Sequence, residues 1–278
     1  MPILRSMAAP ASSTAFRTLP VPGLGRDVRV WGTRVRGKTL PLVLHLHGGS
    51  FTTGDLDSAE QLATLIAAAG AVVASFDYPL APQHRFPDAA EAAYSALEWL
   101  YRQRTALAGR DAPLYVAGEE AGGNLAAAVA MMARDRRHPP LAGQVLVSPM
   151  LDPCTATPSL RDKLGEQLEC RWAQGWDNYL RGPMDAEHPY AVPGRAQRLV
   201  DLPRTLVLTG ADDPMRDEAG AYARRLRAAG VEVTCAMLQA PTGWPESLEQ
   251  AATDDCPCAG QAKGWLTEFF QPPMPPPG

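Results

Sequence analysis

The residues best placed to do chemistry are two adjacent carboxylates in a glycine-framed turn. Residues 114–128 read LYVAGEEAGGNLAAA: an apolar run, then Gly118-Glu119-Glu120-Ala121-Gly122-Gly123, then an alanine-rich helical stretch. Glycines on both sides of Glu120 suit a sharp strand-to-helix turn, where backbone passes close to backbone. A carboxylate at such a tip can act as a general base, whose proton returns to product or solvent. It can also act as a nucleophile, but the resulting ester must then be hydrolysed by an activated water. That second route needs a histidine, and none of the five (His45, His47, His84, His138, His188) is placed by sequence to serve Glu120. His188 is the one histidine that a long intervening segment could carry towards it. The general base is therefore the preferred chemistry. A helix N-terminus after Glu120 favours its charged form, whereas burial, Glu119 and Asp213 oppose it.

The elements that must hold this turn are legible as an alternation. LVLHL (42–46), AVVASF (71–76), LYVAG (114–118), QVLVS (144–148) and TLVLTG (205–210) are short apolar runs unbroken by charge. Strands covered on both faces of a parallel sheet read this way. DVRVWGT (27–33) alternates more and suits an edge hairpin strand, and VEVTCAML (231–238) a late strand. Helical spacing falls over 58–69, 88–104, 122–136, 217–229 and 259–270, with Gly230 as a stop signal between helix and strand. The pattern predicts an α/β chain with a doubly wound, mostly parallel sheet. Residues 1–20 read as a flexible arm, 21–270 as one domain, and 271–278 as a disordered tail. The stretch of about 152–203, rich in Trp and charge, is too long for a plain connection and reads as a helical lid inserted between two strands.

The 278 residues are 46% hydrophobic and 20% charged, with a net charge of −4. No basic stripe or long like-charge run is present, which argues against nucleic acid and anionic membrane as partners. MPILRSMAAPASS lacks the apolar core of a signal peptide, and no segment approaches transmembrane length. Cys154, Cys170, Cys235, Cys256 and Cys258 show no framework spacing, and Cys256-Pro257-Cys258 is too tight for an easy internal bridge. Reduced thiols and a cytoplasmic location follow as expectations. No metal, nucleotide or flavin motif is present, and the turn lacks the lysine of a P-loop.

Four blocks in order carry a family resemblance. His47-Gly48-Gly49-Ser50-Phe51 follows a buried run and resembles an HGGG loop; Asp77-Tyr78-Pro79-Leu80-Ala81-Pro82-Gln83-His84 with Phe86-Pro87 is the second block. The Glu120 turn is the third, and Asp213-Pro214-Met215-Arg216-Asp217-Glu218 the fourth. Together, over roughly residues 25–270, they resemble the hormone-sensitive-lipase family of α/β-hydrolases. The resemblance implies that fold, with an oxyanion hole at Gly48, Gly49, Ser50 and Ala121. It also implies two departures: Glu120 in place of the catalytic serine, and Thr242, within Gln239-Ala240-Pro241-Thr242-Gly243-Trp244, in place of the histidine. Asp213 would be the acid of the triad or, with Pro214 behind it, a helix cap.

Serine and histidine of a triad act as a unit, and losing either costs about 2 × 10⁶ in turnover. About 10³–10⁴ over water remains from the oxyanion hole and binding. Acyl-serine hydrolysis is thereby disfavoured. The expected function is non-hydrolytic: Glu120 moves a proton beside the oxyanion hole in an elimination, dehydration, isomerisation or cyclisation of a carbonyl compound, in specialised metabolism. Asp213 and Thr242 would assist, with Phe51, Glu119, Trp176, Tyr179 and Trp244 lining the pocket and Trp172 in the lid. The alternatives are a Glu120 carboxylate folded back into the anion hole, leaving a non-catalytic protein that binds a small molecule, and a weak ester hydrolase. A small-molecule partner and no cofactor follow from each, and a homodimer is compatible with the sequence.

Overall fold

The computed structural model describes residues 15–153, 157–239, 241–249 and 257–271. Eight strands form one sheet: β1 (Phe16–Val21), β2 (Arg26–Trp31), β3 (Leu42–Leu46), β4 (Val72–Phe76), β5 (Leu114–Glu119), β6 (Gly143–Val147), β7 (Thr205–Gly210) and β8 (Val233–Leu238). Their spatial order is β1-β2-β4-β3-β5-β6-β7-β8, antiparallel across the first two pairs and parallel beyond. The helices are α1 (Glu60–Ala68), α2 (Asp88–Leu107), α3 (Ala121–Arg136), α4 (Pro158–Tyr179), α5 (Pro183–Ala186), α6 (Arg216–Ala228) and α7 (Pro257–Phe269).

Period-two geometry divides the apolar strands between two cores. Leu42, Leu44, Leu46 and Val116 face α2 and α3, while Val43, Tyr115, Ala117 and Val145 face α1 and α7. Each fully buried Leu or Val contributes about 1.5–3 kcal/mol, so a strand covered on both sides has no polar alternation to show. Helix α3 is buried nearly all round, and its alanines and glycines let it lie flush between α2 and the sheet.

Three expectations are corrected here. The arm expected over 1–20 is, from Phe16 onward, the edge strand β1, which pairs Phe16 with Trp31; DVRVWGT supplies the second strand, not the edge. The side chains of β1 are mostly exposed, so its sequence carries no apolar signal. Cys258 is disulfide-bonded, while Cys235 is free and exposed. The thiols are therefore not all reduced, because spacing along the chain does not reveal which cysteines folding brings within reach. The disordered tail expected at 271–278 lies, beyond Gln271, outside the described residues. The stretch expected as a lid holds α4 and α5 between β6 and β7. Among the described residues no helix is long and apolar enough to cross a membrane.

Candidate active site

Glu120 sits at the junction of β5 and α3 with φ +52° and ψ −116°, a conformation that costs a non-glycine residue about 1–3 kcal/mol. The turn is closed by contacts that only glycine permits. A Cβ on Gly118 would stand 2.2 Å from the Gly122 carbonyl oxygen, and one on Gly122 only 1.9 Å from that of Leu46. The main chain of Glu120 is fixed as well: its N–H donates to Val147 and its carbonyl accepts from Met150 and Asn124.

Facing it, the loop after β3 turns through two consecutive left-handed residues, Ser50 (φ +50°) and Phe51 (φ +65°). That geometry aims neighbouring N–H groups at one point, and the Glu120 carboxylate occupies it. Gly49 N donates to Oε2 at 2.5 Å and Ser50 N at 3.2 Å, while Ser50 Oγ donates to Oε1 at 2.8 Å. Helix α4 closes the shell from above. Arg171 Nη2 reaches Oε1 at 3.0 Å and Trp172 Nε1 at 2.5 Å. Glu120 is fully buried. Burial alone would raise its pKa, but Arg171, the Gly49 N–H, the Trp172 indole and the Ser50 hydroxyl outweigh it and hold the carboxyl below its ordinary value.

Glu119 turns the other way. Its Oε1 accepts from Gly48 N at 3.0 Å, and its Oε2 lies 2.7 Å from His45 Nε2, whose Nδ1 lies 2.7 Å from Ser75 Oγ. This buried chain braces the Gly48–Ser50 loop from beneath. His47 stacks on Tyr78 with ring centres 4.2 Å apart, and the Tyr78 hydroxyl donates to the His47 carbonyl at 2.8 Å. Burial lowers the His47 pKa and leaves that ring neutral.

The other expected residues spread over several settings. Ala121 begins α3, and the Gly48 N–H serves Glu119 instead of the tip. Asp213 is buried; its Oδ1 accepts from Ser148 Oγ and Met215 N, each at 2.8 Å, and its Oδ2 has no partner. Burial pushes its pKa up to about 7. Helix α6 starts at Arg216, so Asp213 caps the turn before it and not the helix end itself. Thr242 gives both its N–H and its hydroxyl to Asp212, the hydroxyl at 2.7 Å. Trp244 packs in the core on the α1 and α7 face, apart from the Phe51 cluster. Phe51, Trp176 and Tyr179 do meet: Phe51 stacks on Tyr179 at 4.0 Å and lies 5.1 Å from Trp176. His188 contacts Phe86 and Tyr190.

Sequence reasoning missed Arg171. An arginine in a charged helix carries no motif, and its neighbour Trp172 reads as helix core. The nearest signal was the residue opposite, since a buried glutamate must find a cation or neutralise. Among the described residues no group of three or more His, Cys, Asp or Glu side chains could hold a metal ion.

A family model described as alpha/beta hydrolase fold matches residues 43–241. The chain belongs to the α/β-hydrolase-fold family. Its relatives include esterases and gibberellin receptors. Esterase LipI of Mycobacterium tuberculosis is 36% identical over 197 residues, 69% of this chain and 62% of that protein. Gibberellin receptor GID1B of Arabidopsis thaliana is 32% identical over 216 residues, 73% of this chain and 60% of the receptor. The chain thus spans less than two thirds of the length of either relative. Among solved structures, a bacterial heroin esterase superposes with a TM-score of 0.82 at 30% identity, covering 95% of this chain and 87% of that one.

Proposed function

We propose that this chain is a catalytically silent member of its family, a small-molecule-binding pseudo-esterase in which Glu120 fills the anion site that a hydrolase keeps for developing charge. On this reading Glu120 stands where the family's hydrolases carry serine, and Thr242 where they carry histidine. The observation that carries it is the 2.5 Å contact of the Gly49 N–H with Glu120 Oε2. An oxyanion hole works only if its donors are open to the oxygen that gains charge. Here the donors of that loop already serve a fixed carboxylate.

Proton abstraction by Glu120, as in a lyase, isomerase or cyclase, draws less support from this geometry. Five donors converge on the carboxylate, and Arg171 holds its charge. A base needs a free lone pair facing substrate and a pKa near the working pH. The similarity to a gibberellin receptor supports ligand binding as a role open to this type of chain.

The test is turnover of short-chain p-nitrophenyl esters together with labelling by a fluorophosphonate probe. Wild type is expected to show neither. Ester hydrolysis that disappears in Glu120→Gln would overturn the proposal, as would turnover of a carbonyl substrate lost in the same variant.

A further inference from the structure

A cavity of about 320 Å³ lies at the end of α3 remote from Glu120, a distance of about 22 Å along the helix at 1.5 Å per residue. None of the residues gathered around Glu120 belongs to its wall. Much of that wall is apolar: Pro139, Pro140 and Leu141 come from the loop before β6, and Pro203 from the loop before β7. Two exposed charged side chains, Arg137 and Asp201, stand in the same wall. Both sit on left-handed backbone, with φ of +55° and +62°. Glycine adopts that conformation freely, whereas other residues adopt it at a steric cost. Arg137 follows the last residue of α3, where a helix that ends in this conformation usually carries glycine.

Nothing within the fold uses these two charges. An aspartate can offset left-handed strain by a local hydrogen bond. Among the described residues, however, neither the Asp201 carboxylate nor the Arg137 guanidinium has a hydrogen bond or an ion pair, and none joins them to each other. The neighbouring charges are matched. Arg134, also in the wall, gives Nε and Nη2 to Asp135 at 2.9 and 3.1 Å and Nη1 to the carbonyls of Arg198 and Val200. Arg136 pairs with Glu91 at 2.6 Å. Backbone geometry alone would favour glycine at both positions. The chain instead keeps one positive and one negative group, unpaired and open to solvent, beside one apolar surface.

We propose that this cavity binds a small zwitterion with an apolar body, its carboxylate meeting Arg137 and its ammonium group meeting Asp201. The site is independent of the reading given to Glu120. Saturation-transfer NMR titrations of the full chain with 6-aminohexanoate, hexanoate and hexylammonium compare one carbon chain bearing both charges or either one. 6-Aminohexanoate is expected to bind about twofold to fivefold more tightly than the other two, the range for one exposed ion pair. Arg137→Gly is expected to weaken 6-aminohexanoate and hexanoate and to leave hexylammonium unchanged. Asp201→Gly is expected to weaken 6-aminohexanoate and hexylammonium and to leave hexanoate unchanged. Because glycine suits both backbones, each variant is expected to melt at or above the temperature of wild type, which separates lost binding from a damaged fold. Arg137→Gln and Asp201→Asn remove the charge alone, are expected to give the same pattern, and serve if a glycine variant does not fold. Binding of 6-aminohexanoate no tighter than that of the singly charged probes, binding indifferent to the substitutions, or no binding at all overturns the proposal.

Discussion

At the scale of single residues, Glu120 behaves as a built-in ligand. Its carboxylate accepts from two backbone amides, a hydroxyl, an indole and a guanidinium, a set that would otherwise face one another across an unfilled space. Truncation to alanine leaves these donors unmet, and breaking a buried ion pair on one side typically costs about 3–5 kcal/mol. Glu120→Ala is therefore expected to melt at a markedly lower temperature, and sodium formate, small enough to enter, to restore part of the loss relative to sodium chloride. No restoration by formate would show that the donors do not form a site apart from the glutamate. Asp213 gives a second residue-scale expectation, a pH dependence of stability. Its folded pKa is raised to about 7 from 3.8, so the folded state binds more protons over that interval and loses stability as pH rises through it. Asp213→Asn cannot titrate. Its stability relative to wild type, read from urea titrations, is expected to rise between about pH 4 and pH 7 and to level off above.

At the scale of elements, α4 is held at its beginning as well as near its middle. Ser159 N donates to Asp217 Oδ2 at 2.8 Å and Ser159 Oγ accepts from Asp217 N at 3.2 Å, a reciprocal cap between α4 and α6. Asp217→Ala is expected to cost about 1 kcal/mol by denaturant titration, the usual scale for a lost cap. The strands and helices from β3 onward were legible in the sequence because buried parallel strands and amphipathic helices have distinct apolar periods. Strand β1 was not, since pairing of an exposed edge leaves no apolar trace. The elbow glutamate was visible in its glycine frame and the Gly49–Ser50 loop in its HGGS motif. The sequence left open whether the carboxylate folds into that loop or stays outside it, because the shell around it also needs Arg171 and Trp172, delivered by an insertion with no motif. Thr242 illustrates the same limit: sequence alignment placed it at a triad position, whereas Asp212, adjacent to the expected acid, is the residue it bonds.

At the scale of the whole molecule, the turn bearing Glu120 is anchored to the sheet's centre, not to its rim. β3 and β5 lie side by side in the interior of the sheet, and Gly122 of α3 rests against the end of β3. The site is therefore as stiff as the core beneath it. Leu44→Ala, in the middle of β3, is expected to cost about 2–5 kcal/mol of global stability. Because β3 leads directly into the Gly48–Ser50 loop, amide exchange at Gly49 and Ser50 is expected to rise with the same substitution. Unchanged exchange there would mean that the loop is held by Glu120 and α4 alone.

The two fastenings of α4 share a chemistry. Glu120 and Asp217 each hold a carboxyl below its ordinary value despite burial, so each stabilises the fold above its unfolded pKa and ceases to do so as pH falls through its folded one. Acid thus loosens the helix at both places through the same change of charge. What would come into view is the contact between Phe51 of the loop and Trp176 and Tyr179 on the inner face of α4. As pH falls through these lowered folded pKa values the protein would then present a sticky aromatic surface, with enhanced fluorescence of a hydrophobic dye preceding loss of helical signal.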